Sequence, residues 1–133
     1  MATIRKEYKV IIEDSKQSKP RNHELSASEK IAAYFKSNIV FLRRLESRTP
    51  DLYIIKTNMR WELKSPTGGS KHTIQNNLRA SDGQSENVIL DLSRSKLSDR
   101  QGISRTKEFI RNEHSRIRRL KILTKQGKII DIK

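Results

Sequence analysis

The 133-residue sequence contains no cysteine, which excludes disulfides and thiolate metal sites and says little about compartment. Aromatic residues make up only 5% of the chain, and 15 acidic residues stand against 29 Lys and Arg, a net charge of +14. No run of about eighteen apolar residues and no signal-like apolar segment occurs, so hydropathy offers no membrane span and cytoplasmic action is the expectation. Hydrophobic and charged residues each make up 33%. That is polar for a globular protein, yet apolar alternation recurs along the chain and a fold is expected rather than disorder. Residues 1–133 suit a single domain with one modest core. The basic residues run from Arg5 to Lys133 without forming a tail, so the folded surface itself should be positive and attract a polyanion. An anionic membrane is the rival partner, but no long amphipathic helix with an aromatic face supports it.

Apolar spacing divides the chain into elements. Ile4 to Glu13 reads as a strand, Asp14 to Asn22 as a polar loop, and Ser26-Ala-Ser-Glu29 as a capping box. Ala27, Ile31 and Phe35, widened by Tyr34, then stripe a helix ending near Asn38. Ile39 to Leu42 suits a buried strand, Ser65 to Ser70 a loop, Thr73 to Ala80 a helix, Ser81 to Glu86 a turn, and Val88 to Leu92 an interior strand. Arg105 to Ile117 reads as a basic helix, and Leu120 to Thr124 with Lys128 to Ile132 as a closing hairpin about Gln126-Gly127.

The stretch Thr49 to Lys64 carries the chemistry. Met59, Trp61 and Leu63 alternate with Arg60, Glu62 and Lys64, so a strand here packs one face and offers Glu62 and Lys64 on the other. If Leu52 to Ile55 and Met59 to Lys64 pair through an even-length loop about Thr57-Asn58, Asp51 and Tyr53 join that face. An odd-length loop would send Asp51 to the opposite side.

Pro50-Asp51, ten intervening residues and Glu62-Leu63-Lys64 resemble the PD-(D/E)XK signature of the restriction-endonuclease-like nucleases. The following ELKSPTGGSKHTIQNNL further resembles the C-terminal toxin domains of contact-dependent growth inhibition systems, some of which cut transfer RNA. The likeness covers about Glu24 to Leu92. It implies an α/β (α+β) fold with an αβββαβ core, its mixed central sheet flanked by helices. It also implies a divalent ion, Mg2+ foremost, held by Asp51 and Glu62, with the Leu63 carbonyl as an added ligand and Lys64 orienting water. Two carboxylates on adjacent strands are the ligand set a hard cation takes. Each has a bland alternative as well: Asp51 as a strand-entry residue, Glu62 and Lys64 as a solvated strand face.

Two roles compete for Glu29, because a capping-box glutamate serves its own helix, whereas the family often draws a further metal-binding glutamate from its first core helix. Lys71, His72 and Thr73 end a glycine-bearing loop whose amides suit a phosphate, although a plain connecting loop has the same composition. Gln75 stands where some relatives place a polar residue near the metal. Arg105, Arg111 and Arg118 belong to a basic run that reads as a phosphate track or as a solvated face. His23, His72 and His114 lack zinc spacing. The expectation is thus a metal-dependent endonuclease acting on RNA, most of all transfer RNA, with an acidic immunity protein as a second partner. The alternatives are a DNA-cleaving member of the same fold and a noncatalytic basic nucleic-acid-binding module.

Overall fold

Alternation at residues 59–64 becomes the fourth of the seven strands among the described residues, and the helices are laid on either side of the sheet. The computed structural model describes residues 7–12, 19–42, 49–83 and 85–133. In chain order the elements are β1 (Val10–Ile12), α1 (Asn22–Phe35), β2 (Ile39–Leu42), β3 (Asp51–Ile54), β4 (Met59–Lys64), α2 (Thr73–Ser81), β5 (Asn87–Asp91), α3 (Asp99–Asn112), β6 (Arg119–Leu123) and β7 (Ile129–Asp131). Each strand pairs with its neighbour in sequence, so the sheet order is β1-β2-β3-β4-β5-β6-β7. Pairings β1–β2, β4–β5 and β5–β6 are parallel, and β2–β3, β3–β4 and β6–β7 antiparallel. The result is a mixed α/β fold, a central mixed sheet flanked by helices. From α1 to β5 the elements run helix, three strands, helix, strand.

Strand polarity decides where a site can lie. β1, β2, β4, β5 and β6 point one way, so their C-terminal ends share one edge, and β3 begins there with Asp51. Helices α1, α2 and α3 follow β1, β4 and β5, so their N-termini return from that same edge. A sheet of this kind binds ligands outside the carboxyl ends of its parallel strands.

Two apolar clusters cover the two faces. On one, Ala27, Ile31 and Ala32 of α1 pack against Ile39, Phe41, Leu52, Ile54, Trp61 and Leu63. On the other, Ile74 and Leu78 of α2 and Phe109 of α3 pack against Val88, Leu90, Leu120 and Ile122. Trp61 and Leu63 are 2% and 1% exposed; burying side chains of this size stabilises by ~1.5–3 kcal/mol each, which pins the β4 register and, with it, the aim of Glu62 and Lys64.

Helix α1 begins at Asn22, not beside Ser26, and it stops at Phe35, where Lys36 takes a left-handed conformation (φ 52°). Arg21 N–H donates to Glu24 Oε1 at 2.9 Å, so the glutamate that reaches back to the helix start is Glu24, one turn and a half before the expected box. The buried stripe is Glu24, Ala27, Ser28, Ile31 and Ala32; Ser26 and Glu29 fall off it and are exposed. Tyr34 is 44% exposed and meets Phe35 edge-on. Helix α3 likewise starts early, at Asp99, capped by Ser98, whose Oγ accepts from Gln101 N–H at 3.1 Å. It ends at Asn112, so Ile117 is buried from an extended segment rather than from a helix. The first strand occupies Val10–Ile12; residues 4–6 and 13 of the expected strand, and 14–18 of the expected loop, lie outside the described residues. Among the described residues no helix is long and apolar enough to cross a membrane.

Candidate active site

The β3–β4 hairpin closes through four residues, 55–58, with Ile54 opposite Met59 and Asn58 at φ 57°. An even loop keeps the expected register: Asp51 lies directly opposite Glu62 and Tyr53 opposite Arg60, so Asp51, Tyr53, Glu62 and Lys64 share one face. Leu63 N–H extends the ladder by donating to the Pro50 carbonyl at 3.0 Å. That bond carries the pairing beyond Asp51 and brings Thr49 beside Lys64.

Glu62 is 5% exposed. Its Oε1 accepts from Thr49 Oγ1 at 3.0 Å and lies 3.4 Å from Lys64 Nζ. Its Oε2 is buried with no hydrogen-bond partner. Leaving a buried acceptor unsatisfied costs ~1–3 kcal/mol, and more for a charged group, so this oxygen is held against the interests of stability. Asp91 Oδ2, 1% exposed, is orphaned as well. It alternates with Leu90 onto the α1 face, stands opposite Leu123, and its other oxygen accepts from Ser93 N–H at 3.0 Å.

Residues 65–72 leave Lys64 and deliver the chain to α2. A side chain at Gly68 would meet Thr73 Oγ1 at 2.7 Å, and one at Gly69 would meet Lys96 Cβ at 2.7 Å, so the paired glycines allow the loop to lie against its neighbours. Ser95 Oγ anchors it by donating to the Gly68 carbonyl at 3.0 Å. Thr73 is half-buried, its Oγ1 within 3.1 Å of Ser70 Oγ.

Four of the residues anticipated for nucleic acid, Lys71, His72, Gln75 and Arg105, come together in one cleft between α2 and α3. Arg111 is exposed in the last turn of α3, and Thr73 faces Ser70 rather than the cleft. Arg118 is exposed just before the N-terminal end of β6, 3.8 Å from Glu86 Oε1. Because β6 and β4 run parallel, Arg118 lies at the opposite edge of the sheet from Lys64, and the basic run does not form one continuous face. Glu29 is exposed on α1, which packs on the opposite face, and is not brought to Asp51 and Glu62. Among the described residues no group of three or more His, Asp or Glu side chains stands where it could hold a metal ion. His23 accepts from Arg94, and burial together with that guanidinium holds its pKa below the ordinary 6.5.

Sequence reasoning overlooked the pair that ties α2 to α3. Arg79 donates from Nε and Nη2 to the Glu113 carboxylate, and Gln75 Nε2 donates to the same Oε1 at 3.2 Å. The partners are 34 residues apart, so no local pattern marks them. The Arg79 hydrogen bond lowers the Glu113 pKa from its ordinary 4.5, against a smaller opposing effect of burial. A carboxylate whose folded pKa is depressed contributes stability that is present above the unfolded value and lost as pH falls through the folded one. Urea unfolding should therefore find Glu113→Gln less stable than the parent near pH 7, with the gap closing as pH falls below the ordinary carboxylate range. A gap that persists at low pH would show that the carboxylate charge is not what joins the helices.

The chain is thus a mixed α/β domain bearing a paired-carboxylate hairpin at the carboxyl edge of its sheet. Residues 48–129 match the family model of the contact-dependent growth inhibition CdiA C-terminal domain, and the chain belongs to that family of toxin domains. Its fold is similar to that of a chain in the CdiA-CT/CdiI toxin and immunity complex from Burkholderia pseudomallei, with a TM-score of 0.60 and 16% sequence identity over 92% of this chain and 98% of that one. No curated protein matches the sequence.

Proposed function

We propose that this toxin domain is a metal-dependent endonuclease of the PD-(D/E)XK, restriction-endonuclease-like kind, with RNA as its substrate and transfer RNA foremost. The observation that carries the reading is Glu62 Oε2, a buried carboxylate oxygen without a partner, on the strand position directly opposite Asp51 and beside the Lys64 ammonium. Two carboxylates and an orphaned oxygen fit a Mg2+-like ion, which takes one or two protein carboxylates and completes its shell with water and substrate phosphate. Asp51 and Glu62 would hold it. Such an ion, when bound, supplies Lewis-acid polarisation of a phosphate and a water of lowered pKa.

The rest of the chemistry belongs to the chain's own residues. Lys64 Nζ, 3.4 Å from Glu62 Oε1, orients the attacking water and neutralises charge developing on the phosphate. Thr49 fixes the Glu62 rotamer through its 3.0 Å hydrogen bond to Oε1, leaving Oε2 as the oxygen available to a metal ion. The +14 surface draws in the polyanion. A domain that damages RNA needs restraint in the cell that makes it, so an acidic immunity protein, complementary to that charge, is part of the proposal. The B. pseudomallei complex gives the pattern for such a pairing.

Incubating the purified protein with total RNA and with plasmid DNA, with Mg2+ and with EDTA, tests the reading. RNA cleavage that EDTA stops is expected. Cleavage of DNA alone would transfer the site to the DNA-cutting alternative, and intact RNA and DNA in Mg2+ would sink the nuclease reading. Expression without a partner in a bacterial cytoplasm should arrest growth; unimpaired growth would count against a toxin.

A further inference from the structure

The α2–α3 cleft has a volume of about 260 Å³. That is below the ~300–1,000 Å³ of pockets that enclose a whole drug-sized ligand, and it suits one planar ring system with its sugar at the mouth. Its lining mixes Lys71, His72 and Arg105 with carboxylates, which is not the lining of a site for a phosphate alone. On a domain of net charge +14, two carboxylates, Glu108 and Glu113, face the same small space. Arg79 is hydrogen-bonded to Glu113 and keeps that group ionised. A fixed carboxylate repels a phosphate but accepts hydrogen bonds from the N–H groups of a base edge, as Asp and Glu do from a cytosine amine.

The remaining groups suit the same guest. Gln75 and Asn112 bring amides, which donate and accept together. Gln75 Nε2 is engaged by Glu113, while its carbonyl oxygen meets His72 Nδ1 only at a long 3.5 Å. Phe109, 4% exposed, forms an apolar floor rather than a stacking face. Lys71 and Arg105 supply cations for the phosphates on either side of a seated nucleotide. Lys71 is seven residues beyond Lys64, at most ~25 Å of chain, so a strand anchored here runs within a few nucleotides of the β4 carboxylate.

We infer that this cleft receives one unpaired, amine-bearing base (guanine, adenine or cytosine) of the substrate strand. The domain thereby selects nucleic acid with a base free of its helix over a continuous duplex, whose base edges are already engaged. The inference rests on the reading of the chain as acting on nucleic acid, and it assigns Gln75, Asn112, Glu108 and Glu113 to specificity rather than to affinity. Uracil fits less well, since it has no exocyclic amine and its single N3–H is flanked by two carbonyls that the carboxylates repel.

The test titrates isotope-labelled protein, free of divalent metal and at fixed salt, with the four ribonucleoside 5′-monophosphates and with ribose 5-phosphate, following backbone amide shifts. GMP, AMP and CMP should move amides in residues 71–75 and 105–113, and at least one of them should bind about tenfold more tightly than UMP or ribose 5-phosphate, the discrimination expected of one good base-edge contact. Gln75→Ala and Asn112→Ala, on separate helices, should each weaken that nucleotide several-fold without altering ribose 5-phosphate binding. Equal binding of ribose 5-phosphate, shifts confined to other regions, or two variants that bind as the parent does would overturn the proposal. No cleavage is read, so a failed nuclease reading would show in the RNA incubations and a failed base site would show here.

Discussion

Glu62→Gln should abolish cleavage while leaving nucleic-acid binding in place. The amide keeps the size of the side chain and can still meet Thr49, but it removes the charge paired with Asp51 across the hairpin and with Lys64 at 3.4 Å. Metal-assisted charge stabilisation is worth several kcal/mol, and each ~1.4 kcal/mol is tenfold in rate, so turnover should drop by roughly a thousandfold or more. Asp51→Asn should do the same from the partner strand. Lys64→Ala should remove most turnover yet leave metal affinity close to normal, because an ammonium is no metal ligand. Affinity for RNA should hold or rise in both carboxylate variants, since a negative charge near the phosphate has gone. Measuring cleavage and binding side by side at one salt and one Mg2+ concentration separates the outcomes. Near-normal cleavage by Glu62→Gln would eliminate the site; binding lost in proportion to cleavage would indicate misfolding or a noncatalytic role.

Binding itself should collapse with salt. Each phosphate neutralised by Lys or Arg releases counterions, and a protein making about 6–10 such contacts loses ~10³–10⁵ in affinity for duplex DNA between 50 and 200 mM salt, with a slope near 0.7 per contact on single strands. The exposed cations at the carboxyl edge and along α3 include Lys71, Arg94, Lys96, Arg100, Arg105, Lys107 and Arg111. That number predicts a log–log slope of about −4 to −5 for a single-stranded RNA. Arg105→Ala should shorten the slope by roughly one contact, and Arg118→Ala, at the far edge of the sheet and beside Glu86, should leave it unchanged. A slope near zero would mean that the surface charge does not carry the RNA.

The hairpin was the most legible part of the chain because its signals are local and concordant. Pro50-Asp51 opens it, period-two alternation marks Met59–Lys64, and the four-residue loop preserves the register that puts Asp51 opposite Glu62. Helix starts were harder to read. Arg21 is not a capping residue type, whereas Ser26 and Glu29 imitate a box inside a helix that has already begun at Asn22. Ser98-Asp-Arg-Gln101 is a true box, overshadowed by the basic residues that follow it. What the spacing had no means to reveal was the long-range pairing: Arg79 to Glu113, the Thr49 bond that holds one oxygen of Glu62, and the division of the basic run between two edges of the sheet. These depend on which strands lie side by side, a tertiary property with no local signature.

A sheet whose spatial order repeats its order along the chain has a mechanical consequence. Every strand meets only the one before it and the one after it, so tension applied at the two ends strips strands singly from the outer edges inward, with no inner strand trapped beneath an outer one. The outermost strands, β1 and β7, are three residues each and part first. The Asp51–Glu62 hairpin stands in the middle of the row and keeps its neighbours longest. In the reverse direction its four-residue turn makes it, with the β6–β7 turn at residues 125–127, one of the cheapest strand pairings to close, so the pair of carboxylates is set face to face without waiting for the parallel pairings.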